Sequence, residues 1–266
     1  MSKPATRRLI VTASNKGGVG KSIAASLLTH FYETEGVKAD VYDADGSVGA
    51  LIGMYPDANA YDARVEKEVK VLLNSLRETS ADVVLHDMPG GSMSSLIKVI
   101  NGDEGDTSAD TLVEAIERSG FELTVLHVLS FDLGSVRSVQ NILRTFGTTF
   151  NKETGDAEIE PWAKNVKHIA CINTFASSDE ADFPYWFTTS NNVRRLFLGS
   201  KGVEFKLPRL RPGVVAQIQA EKISWQKAVT AGESPLDFAD ETTTAKFLRN
   251  VKRSIIDAEV ASFLGL

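Results

Sequence analysis

Among 266 residues the chain carries one cysteine, Cys171, and only four histidines. A lone thiol closes no internal disulfide and forms no C-x-x-C pair, and no two histidines fall at metal-ligand spacing, so neither a disulfide scaffold nor a zinc centre is expected. Cys171 lies in an apolar run and reads as a small core residue. No stretch approaches the ~20 apolar residues of a membrane span, and the first residues lack the apolar centre of a secretion signal. A cytosolic protein is expected. Internal repeats, low-complexity tracts and heptads are absent. The net charge of −6 gives no global pull toward nucleic acid, leaving local basic patches as the only electrostatic route to it.

What the chain does have is Lys16-Gly17-Gly18-Val19-Gly20-Lys21-Ser22. A phosphate chain needs closely spaced backbone N–H donors, which glycine permits by lacking Cβ, together with a lysine and a hydroxyl that can reach Mg²⁺. Gly17, Gly18, Gly20, Lys21 and Ser22 supply these. Asn15 stands where the strict phosphate-loop pattern has glycine. The context still fits: Leu9-Ile10-Val11-Thr12-Ala13 reads as a buried strand, and residues 22–35 read as a helix with Ile23, Leu27, Leu28 and Phe31 inward. The start of such a helix turns its free N–H groups and positive dipole end toward the phosphates.

Strand-like runs recur near Leu9, Val41, Val83, 123–129, 168–173 and 203–207, alternating with helical stretches. That alternation predicts an α/β fold: a single P-loop NTPase domain over residues 1–266, with a mostly parallel twisted β-sheet and helices on both faces. Residues 101–108, 151–160 and 176–182 are acidic and polar and read as surface loops. A C-terminal helix is expected at about 243–266, with Phe247, Leu248, Val251, Ile255 and Ile256 at helical spacing.

With Lys16 standing five residues before Lys21, the chain resembles the ParA/MinD family of deviant Walker A ATPases, whose signature is K-G-G-x-G-K-S/T. Three later segments carry the resemblance further. Val41-Tyr42-Asp43-Ala44-Asp45 matches the strand-end D-x-D of switch I. Val83-Val84-Leu85-His86-Asp87-Met88-Pro89-Gly90 matches the Walker B strand and switch II. Ile169-Ala170-Cys171-Ile172-Asn173, followed by Leu207-Pro208-Arg209, resembles the adenine-reading strand end. Each also has a plain structural reading: Asp43 and Asp45 can end a strand in a polar turn, Asp87 can cap a helix, and Asn173 is ordinary turn chemistry.

The resemblance implies ATP with Mg²⁺ at a nucleotide-sandwich homodimer. Residues 16–23, from Lys16 through Val19 to Ile23, would line the phosphates. Lys21 would contact the β and γ phosphates of its own subunit, and Lys16 would reach the partner's nucleotide. Ser22 would ligate Mg²⁺, with Asp87 in its water shell and Asp43 supporting that shell. Asp45 would position the attacking water, and Asn173 and Pro208 would meet the adenine. Two departures bear on this: Gly46 and Ser47 replace the Pro-Gln that often follows the D-x-D, and switch II has paired glycines, Gly90 and Gly91. A single cysteine with no C-x-x-C motif also sets the chain apart from the iron-protein and iron–sulfur carrier relatives.

For the partition branch the resemblance implies nonspecific DNA binding, a centromere-binding or other activating partner protein, and a nucleoid-associated cytoplasmic location. Candidate DNA contacts are Arg194, Arg195, Arg209, Arg211, Lys246 and Arg249, with Lys206, Lys252 and Arg253 nearby; each cluster reads equally well as solvated surface. Residues before the first strand are too few for a helix-turn-helix domain, so operator reading is not expected. Three alternatives stay open: a MinD-like ATPase docking on membrane through its C-terminal helix, an amidoligase or synthetase relative, and a nucleotide-gated scaffold with negligible hydrolysis. Membrane docking is disfavoured by Asp257 and Glu259. The aromatic segment 183–187 reads as packed core more readily than as a recognition surface.

Overall fold

The structure is a computed structural model. It describes residues 6–46, 49–65, 67–68, 70–102, 107–175, 179–188 and 192–266. Ser47 of the altered switch I, and parts of the loops expected at 101–108 and 176–182, lie outside the described residues.

The order along the chain is β1 (Arg7–Ala13), α1 (Lys21–Glu35), β2 (Ala39–Asp43), α2 (Ala50–Met54), β3 (Asn59–Ala60), α3 (Val71–Glu78), β4 (Val83–Asp87), α4 (Ser92–Asn101), α5 (Asp110–Arg118) and β5 (Phe121–Leu129). Then come α6 (Leu133–Thr145), β6 (Thr148–Phe150), β7 (Ala157–Ile159), β8 (Lys167–Asn173), α7 (Pro184–Phe187), α8 (Asn192–Gly199), β9 (Val203–Leu207), α9 (Pro212–Ala220), α10 (Trp225–Ala228) and α11 (Phe238–Asp257). Seven strands form one sheet in the order β3-β2-β4-β1-β5-β8-β9, and every pairing in it is parallel. Parallel sheets need helical crossovers, which cover both faces, so their strands read as near-continuous apolar runs. β1 illustrates this: Ile10 packs beneath α1, while Leu9 and Val11 face the opposite layer.

One layer holds α1, α2 and α9 to α11. Tyr32 donates from its hydroxyl to Leu264 O at 2.8 Å, and Trp225 donates from Nε1 to Ser26 Oγ at 2.9 Å while its ring sits 5.6 Å from that of Phe247. Trp225 is fully buried. Trp225→Ala should therefore cost about 3–5 kcal/mol, read as a lower urea midpoint with an unchanged slope. The other face carries α3 to α5 and, farther along, α6 to α8.

Several expectations need correction. The C-terminal helix begins at Phe238, where the Asp237 side chain caps it by accepting from Asp240 N–H, and ends at Asp257. Of its apolar set, Phe247, Leu248, Val251 and Ile255 are buried against the sheet and Ile256 is exposed. The membrane-docking face is thus used up in the core, and among the described residues no helix is long and apolar enough to cross a membrane. Part of the loop expected at 151–160 is β7, which pairs antiparallel with β6 in a separate ribbon. The aromatic segment is packed as expected: Phe183 and Trp186 are buried, Trp186 Nε1 donating to Glu204 Oε2 at 3.0 Å, with Tyr185 exposed.

Candidate functional site

The glycine-rich loop leaves the carboxyl end of β1, the end at which open parallel sheets bind ligands. Gly18 and Gly20 both have positive φ, 73° and 99°, and the latter turns the chain directly into α1. Asn15 N–H donates to Ser138 Oγ at 2.7 Å, tying the loop to α6. Val19 is buried, and its carbonyl accepts from Asn173 Nδ2 at 2.8 Å. Asn173 therefore buttresses the loop from the end of β8, and its Oδ1 accepts from Phe175 N–H at 3.0 Å.

A cleft of about 540 Å³ opens over this loop. Gly17, Gly18, Gly20, Lys21, Ser22, Ile23, Asp45, Asp87 and Asn173 line it. Lys16 is exposed and does not line it; its side chain runs beside Gly134 at the start of α6. Pro208, half-buried after β9, stands outside the cleft wall as well.

Asp87 is the most constrained group here. Burial pushes its carboxyl up to about 6, against hydrogen bonds from Ser22 and Thr12 and the charge of Lys21. Thr12 Oγ1 donates to Asp87 Oδ1 at 2.8 Å and accepts from Met88 N–H at 2.9 Å, so one hydroxyl orients both the carboxylate and the start of switch II. Burial also lowers the Lys21 ammonium, with Asp87 and Asp45 working the other way. A hydroxyl and a buried carboxylate that is costly to ionise, side by side at the mouth of a phosphate loop, suit a divalent cation. No cluster of His, Cys, Asp and Glu among the described residues forms a protein-only cage. Mg²⁺ is ordinarily held by one or two protein oxygens plus substrate phosphates and water, and Ser22 and Asp87 fit that pattern.

The two switch I carboxylates part company. Asp45 lines the cleft, and Arg64 Nη2 lies 2.8 Å from its Oδ1. Asp43, expected in the metal shell, is buried and spent on backbone: Oδ1 accepts from Asp45 N–H at 3.1 Å and Oδ2 from Ile52 N–H at 2.9 Å. It caps the start of α2 and reaches Asp87 only through its charge. A glycine is required at 49, where a Cβ would overlap the hydrogen-bonded Asp43 carboxylate.

Several cleft residues went unpredicted, among them Phe131, Phe175 and Gln219. Phe131, more than half exposed at the turn after β5, carries no motif.

The expected DNA contacts divide. Arg194 pairs with Glu204 at 2.6 Å, Arg195 with Asp156 at 3.5 Å, and Arg211 with Asp240. Lys206 pairs with Glu180 and Lys252 with Glu35. Those cations are already engaged. Among the described residues Arg209, Lys246, Arg249 and Arg253 make no ion pair, and the last three share one exposed face of α11.

A parallel sheet whose first strand runs through a lysine-flanked glycine loop into a helix, with a strand-end carboxylate beside that loop, defines a P-loop nucleotide-binding domain. No protein-family model matches the sequence, and no curated protein matches it. Among solved structures, the chain is similar to the MinD septum site-determining protein of Pyrococcus horikoshii OT3 complexed with Mg-ADP, at 14% identity, 93% of this chain, 96% of that one and a TM-score of 0.46. It is similar to a ParA family ATPase from Chlorobium tepidum TLS at 13% identity, 92% and 98% coverage and a TM-score of 0.46. The signal recognition particle 54 kDa protein of Aeropyrum pernix K1, in complex with GDP, is matched at 12% identity over 97% of this chain and 50% of that one, with a TM-score of 0.42. The chain thus spans half the length of that last protein. Likeness this distant says nothing about activity.

Proposed function

We propose that the chain is an ATP-hydrolysing switch of the ParA/MinD type, working with Mg²⁺ as a nucleotide-bridged homodimer that binds nonspecific DNA and an activating partner protein. The observation that carries the reading is the unequal placement of the two lysines. Lys21 lines its own cleft, near Asp87 and Asp45, while Lys16 is exposed outside it, beside Gly134 and close enough to Asp132 for their charges to interact, and from there it serves a facing subunit.

In this reading the loop amides and the N-terminus of α1 bind the phosphates, and Lys21 offsets the charge that develops on them. Mg²⁺, held through Ser22 with Asp87 behind it, neutralises phosphate oxygens when bound. Asp45 accepts a hydrogen bond from the attacking water and fixes its direction. The open cations of α11 make Lys246, Arg249 and Arg253 the favoured DNA contacts, with Arg209 also exposed and in no ion pair among the described residues, ahead of Arg194, Arg195 and Arg211.

ATP turnover by the purified protein, with its mass in solution followed with and without ATP, tests the reading. Asp45→Ala should keep ATP affinity and lower kcat about 10²-fold or more. A wild-type rate in that variant would remove Asp45 from the chemistry. Binding to duplex DNA should require ATP and fall with salt; replacing Lys246 and Arg249 together should reduce the slope of log K against log salt by about 2. DNA binding indifferent to nucleotide would sink the switch.

A further inference from the structure

Residues 59–65 form an arm laid against both switch segments. Its backbone is tied to the loop after β2: Tyr61 N–H donates to Asp43 O at 3.0 Å, Gly46 N–H to Tyr61 O at 2.9 Å, and Ala63 N–H to Ala44 O at 2.9 Å. Asp45 and Asp62 face each other across an isolated antiparallel bridge. The side chains reach farther. Tyr61 is buried, with its hydroxyl 2.9 Å from His86 Nδ1 on β4 and 3.5 Å from Met88 Sδ, one residue past Asp87. Ser75 Oγ, on α3, holds the other nitrogen of His86 at 3.1 Å, and the Tyr42 ring stacks on the imidazole at 4.5 Å. Three elements thus fix the ring that receives Tyr61.

At the far end of the arm, Arg64 spans two carboxylates. Its Nε lies 2.9 Å from Asp62 Oδ1 and its Nη2 lies 2.8 Å from Asp45 Oδ1. Asp62 Oδ1 also accepts from Arg64 N–H at 2.9 Å, a tight Asx turn that sets the start of the arginine side chain. The guanidinium is held through Nε and, at 3.4 Å, through Nη2 by Asp62, and the same Nη2 meets Asp45 at both its main-chain oxygen, 3.4 Å away, and its carboxylate, a planar grip that a lysine ammonium does not reproduce.

We infer that Arg64 is a positioning residue for hydrolysis: it sets the place of the Asp45 carboxylate at the cleft edge, and Tyr61 fixes its arm to the strand that carries Asp87. The inference rests on the ATPase reading and adds a residue that the reading does not require. Arg64 and Asp45 are exposed over 55% and 45% of their side chains, and an ion pair so open to solvent contributes little to folding. The geometry therefore has more to offer catalysis than stability. One oxygen of Asp45 is taken by Arg64, leaving the other for a water. Tyr61 joins the backbone around Asp45 to the strand that ends in Asp87, so the two carboxylates are referred to one element.

The test compares steady-state ATP hydrolysis by the wild type, Arg64→Ala, Arg64→Lys, Tyr61→Phe and Asp45→Ala, with ATP affinity measured separately by a fluorescent analogue. Arg64→Ala should lower kcat roughly 10- to 100-fold, as expected for a reacting group misplaced by about 1 Å. Its ATP affinity should stay within about threefold and its thermal midpoint within about 2 °C. Arg64→Lys should recover part of the rate, and Tyr61→Phe should lower kcat in the same direction with a smaller loss. Two results would overturn the inference while leaving the ATPase reading intact: wild-type kcat in Arg64→Ala where Asp45→Ala is inactive, or weakened ATP affinity in Arg64→Ala with kcat intact, which would make Arg64 a phosphate ligand. Wild-type protein that binds ATP and never turns it over would overturn both.

Discussion

Gly20→Ala should reduce ATP affinity on the order of 10²-fold while leaving the protein folded. Two independent obstacles meet at this residue. Its φ of 99° lies where L side chains are strained, at a cost of roughly 1–3 kcal/mol. A Cβ there would also stand 2.5 Å from Asn173 Nδ2, the atom that holds the Val19 carbonyl. Asn173 would have to swing away, releasing the loop from the end of β8. Strain and the lost hydrogen bond together amount to about 3 kcal/mol, which at ~1.4 kcal/mol per decade gives the stated loss. Global stability should move much less, because the loop can relax toward solvent once the phosphates no longer require its shape. Gly213→Ala is the matched control: that residue has negative φ, nothing within 4 Å of its Cβ position and a place in the first turn of α9, so alanine there should be neutral or slightly stabilising. Titration of ATP into both variants, with urea melts alongside, separates the two effects. Equal affinity in Gly20→Ala and wild type would mean that the loop does not need this backbone shape to hold phosphate.

The same residues explain how far the sequence could be read unaided. The strands at the middle of the sheet were legible because parallel strands with helices on both sides must be apolar on both faces, so runs such as Leu9 to Ala13 and Val83 to Leu85 stand out. The edges were not. β3 is two residues, Asn59 and Ala60, held by backbone pairing to β2 and bearing no apolar pattern. The β6–β7 ribbon is short and polar, and a ribbon outside the sheet needs no period-2 core face to be formed. The start of α11 was legible in principle: Asp237 as cap, with Asp240 and Glu241 in the first turn, is a recognisable helix opening.

At the site, residues joined to one another through the loop announced themselves by spacing, whereas those brought in from a distance did not. Thr12 looks like one more β-branched residue in a buried strand, and its bond to Asp87 exists only because β1 and β4 are neighbours. Arg64 sits in an unpatterned segment, 19 residues from Asp45, and nothing local relates the two. Asp43 and Asp45 are told apart in the sequence only by the resemblance; what separates them in the fold is α2, whose free N–H at Ile52 claims the first of them.

Acid should unfold this protein well before it unfolds an ordinary α/β domain, because all four histidines are buried. His127 Nε2 and His168 Nδ1 meet at 2.9 Å between β5 and β8, and Nδ1 of His127 has no hydrogen-bond partner among the described residues. His86 lies between Tyr61 and Ser75. Burial drives His86 and His168 down to about 3 and His30 to about 4, and His127 well below its ordinary value, the last helped by His168. The unfolded chain, with histidines near ~6.5, binds protons that the folded protein refuses, so stability is full above that value and falls as pH drops through 6.5 toward 3. At pH 5 His86 and His168 each cost about 2 kcal/mol by this linkage, and His127 and His30 add to the loss in the same direction. Asp87 works in the opposite sense: raised to about 6, it takes up a proton in the folded state first and returns about 1 kcal/mol at the same pH. Asp43 and Glu33, both raised by burial, add to that return. The net loss is a large fraction of the roughly 5–15 kcal/mol that holds a typical domain folded. Urea midpoints should therefore hold steady from pH 8 to 7 and fall steeply between 6.5 and 5. Replacing His127 and His168 together with leucine should flatten that slope markedly, since an apolar pair has no proton to take up. A midpoint unchanged down to pH 5 would mean that the folded protein accommodates imidazolium at these sites, and the linkage would fail with it.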